Sequence, residues 1–298
     1  METFREILSP DFLLRNSVYT SVLVGFICPL VGVYLVLRRL VFMGVALPQI
    51  SSTGVAVALS LPMWFGVNLS EHGEHSEHLL AFVGSTVFSL IAILVLALME
   101  RRGRGLPEGR LGTAYVVSAA LSILLLSKNR FGEAGWLDLL KGEIITISNF
   151  DLELTGIALA LVLAVLGIFH KELLLVSFDR ALAVTLRKKV VFWDAVMYLL
   201  IGFTVSIAVL SVGPLIAFGF LLIPVLTVRL FARNMRQFTI VSSIVGGVAS
   251  FVGFWIAYQW DWPVGPTDVV LLGVIFAVVW TGHGIVRTFK KQQTREAS

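Results

Sequence analysis

One cysteine, Cys28, in 298 residues leaves no intrachain disulfide and no thiolate metal cluster. Charge is scarce too. Asp, Glu, Lys and Arg make up 14% of the chain against 57% hydrophobic residues, and the mean hydropathy is +0.90. A soluble domain carries about a quarter charged residues, so a soluble fold is excluded. No GxxxxGK[ST] run exists, and GRGLPEGR (Gly103–Arg110) does not supply one, so no nucleotide loop is present. No Ser-His-Asp set or HExxH motif is visible, which argues against an enzyme. Met1–Asn16 carries Glu2, Arg5, Glu6, Asp11 and Arg15 and lacks a basic-then-apolar pattern, so no cleavable signal peptide is expected. Acidic residues are almost missing from the apolar runs. Asp194 stands near an entrance and Asp268 near an end. A proton- or sodium-driven carrier usually shows carboxylates inside its spans. If the chain moves a solute, the energy comes from a partner.

What is present is apolar length. A bilayer-crossing helix needs about 20 mostly apolar residues. Nine candidates are found, at 17–37, 41–66, 79–99, 111–127, 152–170, 190–211, 213–232, 238–259 and 267–287. They predict an all-α polytopic membrane protein, one transmembrane domain over 1–298. Eight spans result if one of the pair around Gly213–Pro214 is short or re-entrant. With nine, 18 of the 23 Lys and Arg residues fall on one set of loops and five on the other. Basic residues accumulate on the cytoplasmic side, so the C-terminus is expected inside and the N-terminus outside. The pI near 9.4 is then a topology signal, and no nucleic-acid partner is expected.

Three segments carry chemistry. In FMGVALPQISSTGVAVA (Phe42–Ala58), Pro48, Gln49, Ser51, Ser52, Thr53 and Gly54 crowd the middle of an apolar helix. Polar groups are expensive toward lipid, and Pro48 frees the carbonyl of Gly44. A kinked packing helix and a helix lining a pathway through a broken turn both fit. SEHGEHSEH (Ser70–His78) interleaves His72, His75 and His78 with Glu71, Glu74 and Glu77. Imidazole and carboxylate suit Zn(II) and related ions, so this mobile outer loop is either solvated or a collector of ions. His170 and His283, at inner span ends, read as interfacial anchors. On the inner side, Phe178, Leu182 and Leu186 mark a short amphipathic piece. TVRLFARNMRQ (Thr227–Gln237) sets Arg229, Arg233 and Arg236 at near-helical spacing. A short surface helix there either anchors the chain or docks a cytoplasmic partner.

Five segments in order resemble one family, the integral-membrane permeases of the zinc/manganese/iron class of ABC importers (ABC-3 type). They are VGVYLVLRRLVFMGVAL, LKGEIITISNFDL, FDRALAVTL, SVGPLIAFGFLLIPVLTVRLFA and DWPVGPTDVVLL. The resemblance implies two permease copies side by side in the lipid of a bacterial plasma (inner) membrane. It also implies an ATP-binding subunit on the cytoplasmic face and an extracytoplasmic metal-binding protein. The cargo would be zinc or manganese, and no covalently bound cofactor is implied. Arg229, Arg233 and Arg236 would belong to a coupling helix, and Val45, Gln49, Ser52 and Thr53 to the translocation pathway.

Val45 and Gln49 depart from the family. They stand where its second span carries an Asp and a His associated with the metal path. Pro48 replaces the usual Ser and Thr53 the usual Pro. Valine cannot ligate and an amide oxygen is a weak ligand for Zn(II). The outer histidines favour a metal cargo, while Val45 and Gln49 oppose it. Alternatives are a permease for a metal chelate or small organic nutrient, and a membrane scaffold or sensor that no longer transports.

Overall fold

The computed structural model describes residues 12, 14–64, 74–101, 108–127 and 147–296. It is all-helical, with no strand among the described residues. In chain order the helices are α1 (Arg15–Leu37), α2 (Val41–Trp64), α3 (Glu74–Arg101), α4 (Glu108–Ser127), α5 (Asn149–Phe178), α6 (Arg180–Thr185), α7 (Val190–Val212), α8 (Pro214–Arg229), α9 (Met235–Trp260) and α10 (Val264–Glu296). Eight of them, all but α6 and α8, are long and apolar enough to cross a membrane.

Contacts between the ends of these helices show how the chain runs. Asn16 at the start of α1 donates to the Ile147 carbonyl (3.1 Å) and to Asn149 Oδ1 (2.8 Å), just before and at the start of α5. His78 near the start of α3 pairs with Asp151 near the start of α5. At the opposite end, Arg38 after α1 meets Ser177 of α5 and Asp194 of α7. So α1, α3 and α5 run the same way, and α2 and α4 return between them.

The short α8 completes the pattern. Near the end of α7, Ser211 bonds Thr155 of α5, at the end marked by Asn16. The next long helix, α9, lies antiparallel to α1, since Ser250 bonds Ser21 while Ser243 bonds the Phe26 carbonyl. The chain therefore returns through α8, which gives nine passes through the bundle among the described residues. Gly213 makes the reversal possible. It is the single residue between α7 and α8, held at φ 84°, where glycine has no Cβ penalty. Pro214 then opens α8 at the position where its missing N–H goes unneeded.

The core is the α1–α8 contact, wrapped by α2, α7, α9 and α10. Lipid supplies no hydrophobic drive between helices, so close van der Waals packing holds them. Gly32 is the extreme case. A Cβ there would overlap the Leu221 carbonyl oxygen on α8. By contrast α4 is mostly exposed, and α2 is the helix it leans on.

Three sequence expectations change. The segment Thr227–Gln237 holds no separate surface helix. α8 stops at Arg229, a turn covers 230–234, and α9 begins at Met235. The cause is Asn234, which adopts extended backbone and accepts the Gln237 N–H through Oδ1 at 2.8 Å. That N-cap fixes where α9 starts. The second change concerns the histidine segment. From Glu74 onward it is already the first turns of α3, where acidic residues favour a helix N-terminus. The third is α2, which runs unbroken through Pro48 instead of opening into a broken turn. α6, in contrast, is the short helix expected, with Phe178, Leu182 and Leu186 exposed.

Candidate translocation site

The polar cluster of α2 is divided between two faces. Ser51 is fully buried and bonds Ser85 of α3 at 2.6 Å. Ser85 and Ser206 of α7 then exchange hydroxyl-to-carbonyl bonds of 3.3 Å each way. This face is a hydroxyl seam joining α2, α3 and α7. Interhelical bonds of this kind stabilise a membrane bundle by about 0.6 to 2 kcal/mol each. The close approach of Gly54 and Gly84 lets α2 and α3 draw together there.

The other face holds the expected pathway residues. Val45 and Gln49 lie one turn apart and are half-buried, Val45 against the main core. Ser52 and Thr53 follow on the next turn. Both hydroxyls donate to the Gln49 carbonyl, at 2.8 and 3.0 Å. Such back-bonding satisfies a hydroxyl inside an apolar helix. Both also reach α4. Ser52 lies 3.4 Å from Ser122 Oγ, and Thr53 donates to the Ser118 carbonyl at 2.9 Å. α4 therefore covers Ser52 and Thr53, and Val45 and Gln49 remain the more open pair.

This strip can offer an incoming solute one amide, hydroxyls already engaged, and apolar surface. It holds no charge. Among the described residues no group of three or more His, Cys, Asp or Glu comes together to hold a metal ion. The strip therefore does not fit tight coordination of a bare divalent ion.

The histidines of the Ser70–His78 segment divide as well. His72 and the side chain of His75 lie outside the described residues. His78 Nδ1 stands 3.0 Å from Asp151 Oδ1.

The opposite end is rich in charge. Arg38 donates to Asp194 Oδ1 at 2.8 Å and to Ser177 Oγ at 3.0 Å, and its guanidinium faces the Tyr198 ring. Arg180, opening α6, reaches Asp194 Oδ2 at 3.2 Å. One carboxylate thus ties α1, α6 and α7. Nearby, Tyr34 of α1 bonds His170 Nδ1 of α5 at 3.1 Å, beside the kink at Phe169. His170 is thus a helix-to-helix contact as well as a residue near a span end. In the turn before α9, the Arg233 N–H donates to Gln237 Oε1. Arg229 and Arg233 are exposed around this turn, and Arg236 follows in the first turn of α9.

Sequence reasoning missed Asp151 and undervalued Asp194 and Asp268. Asp268 is fully buried in α10, against Gly253 and beside the Ser21 hydroxyl. The available signal was scarcity. In a chain this poor in carboxylates, each one near a span needs a named partner.

The ABC 3 transport family model matches residues 11–282. A manganese import system permease protein, ScaB of Streptococcus gordonii, is 28% identical over 89% of this chain and 89% of its own length. A manganese transport system membrane protein, MntC of Listeria monocytogenes, is 24% identical over 93% of each. Among solved structures, PsaBC from Streptococcus pneumoniae in complex with Fab superposes with a TM-score of 0.77. It is 25% identical and covers 94% of each chain. With a family model spanning most of its length and the same helical architecture in a solved relative, this chain belongs to the ABC 3 transport family.

Proposed function

We propose that this chain is the permease subunit of an ATP-driven importer of transition-metal ions, manganese foremost. The observation that carries the reading is likeness over nearly the whole chain to manganese permeases. The partners are an ATP-binding subunit inside, an extracytoplasmic metal-binding protein, and a second permease copy. The bias of Lys and Arg supports an orientation with the Arg38 and Arg233 end in the cytoplasm and the His78 end outside.

The ATP-binding subunit docks on the turn around Arg233. Three arginines border a short turn whose geometry is fixed by Asn234 and Gln237. Arg233→Glu with Arg236→Glu reverses that charge without touching the cap or the core. The double variant inserts normally, loses co-purification with the ATP-binding subunit, and loses cargo-stimulated ATPase activity. Normal co-purification and normal stimulated activity would defeat the docking assignment.

A second reading, a permease for a metal chelate or small organic nutrient, is favoured by one observation: the strip around Val45 and Gln49 is uncharged. Val45→Asp with Gln49→His separates the two. The positions are i and i+4, so both side chains share a face. If a bare ion crosses here, the pair raises metal bound per permease and changes the rate of ion uptake. If the cargo is a chelate or uncharged, uptake of that cargo falls while metal binding appears. Metal binding already tight in the unmodified strip, and lost in Gln49→Leu, would show that Gln49 is a ligand.

A further inference from the structure

We propose that His78 and Asp151 form a divalent-metal capture site at the outer mouth of the permease. The inference rests on the import reading for its purpose and on the outer-face reading for its place. Its chemistry stands on geometry alone.

The two groups come from different helices. His78 lies in the second turn of α3 and Asp151 in the first turn of α5, with Nδ1 and Oδ1 3.0 Å apart. The carboxylate is held from behind. Ser148 Oγ donates to Asp151 Oδ2 at 2.7 Å, while the Asp151 N–H donates to Ser148 Oγ at 3.2 Å. Asn16 clamps the same corner to α1 through Ile147 and Asn149. Oδ1 is thus aimed at the imidazole before any ion arrives. Support of this kind behind a ligand commonly changes metal affinity by about 10- to 100-fold. Neither side chain is sealed off, with 38% of His78 and 21% of Asp151 exposed.

Imidazole and carboxylate are suitable donors for a first-row divalent ion, and as two ligands they make a weaker site than the groups of three or more that are absent among the described residues. Ligand distances near 2.1 Å with a right angle between donors require those donors to lie about 3.0 Å apart. The pair already stands at that spacing. An ion at that distance from both atoms sits beside the line joining them, so the imidazole and the carboxylate turn about their own side-chain bonds to face it while the helices stay in place, and water fills its remaining positions. Binding makes the site pH-dependent, since the imidazole must present a lone pair. Glu74 and His75 occupy the preceding turn of the same helix. A free histidine loop would gather ions without Asp151, so Asp151 is what distinguishes a built site from a collector.

The test uses the full-length purified permease and Mn(II), with free ion followed by electron paramagnetic resonance. The wild type binds Mn(II). Asp151→Asn and His78→Gln each weaken binding at least about tenfold. The double variant weakens binding by less than the product of the two single effects, because both ligands serve the same ion. His78→Gln keeps an amide donor toward Asp151, so the corner can hold while the ligand is lost. Ser148→Ala gives a smaller weakening. Absence of Mn(II) binding in the wild type overturns the site. So does unchanged affinity in an Asp151→Asn or His78→Gln variant that melts with the wild type. Sidedness is read separately, with His78→Cys in a Cys28→Ser background and a membrane-impermeant maleimide. Labelling in intact cells is expected. Labelling only after permeabilisation removes the outer-face reading and leaves the Mn(II) titration to judge the pair.

Discussion

Replacing Gly32 with leucine prevents the permease from folding. A Cβ at this position overlaps the Leu221 carbonyl oxygen, which belongs to the backbone of α8 and cannot rotate away. The larger side chain must also displace Val225, the next contact on α8. Overpacking a core costs about 1–3 kcal/mol when side chains can shift, and a backbone obstacle takes the effect to the upper end of that range or beyond. α8 has no stable place except against α1, because most of its apolar residues are buried. The measurement is the yield of monodisperse protein and its melting temperature in detergent. Gly273→Leu is the matched control, since nothing lies within 4 Å of a Cβ there. Equal melting temperatures for the two variants would mean that α1 and α8 do not approach as described.

Asp194→Ala destabilises the bundle by about 3 kcal/mol, the low end for removing one partner of a buried ion pair, because this pair is part-buried. Arg38 is left behind with 9% of its side chain exposed, and Ser177 and Tyr198 cannot neutralise it. Arg180→Ala, at the other carboxylate oxygen, changes stability by less than about 1 kcal/mol, because Arg180 is 57% exposed and water screens it. The double variant Arg38→Met, Asp194→Leu recovers much of the loss, since apolar residues of similar size commonly replace a buried pair without penalty. Thermal melting of the four proteins tests the ranking. An Arg180→Ala variant as damaging as Asp194→Ala would place the main contact on the wrong arginine.

Most of the fold was legible because lipid imposes a simple rule. Long apolar runs appear as helices, and the Gly213–Pro214 break marks the joint between α7 and α8. Helix ends were less legible. α5 continues through Lys171 and Glu172 to Phe178, since a charge at a membrane face does not stop a helix. Arg229, Arg233 and Arg236 have helical spacing, but Asn234 stands among them, and an N-cap outweighs periodicity. At the candidate site, the polar face of α2 could be read, whereas its division could not. Ser51 turns to α3 while Ser52 and Thr53 turn to α4. That choice depends on Ser85, Ser118 and Ser122, residues distant in sequence and unremarkable alone. Asp151 was invisible for the same reason. Its partner His78 lies on another helix, and no local pattern links them.

The shortness of α8 bears on how the protein meets membranes of different thickness. Sixteen residues rise about 24 Å, less than the roughly 30 Å of a hydrocarbon layer. An exposed helix of that length would thin the bilayer around it or tilt its neighbours. Apart from Leu215, which is exposed, α8 is largely screened by α1, α2, α9 and α10, so most of the hydrophobic mismatch falls on its neighbours. Thickness is sensed instead by the longer, outward-facing helices, α4 and α10 among them. Acyl-chain length therefore reaches the central helix mainly as a change in tilt passed on by its neighbours.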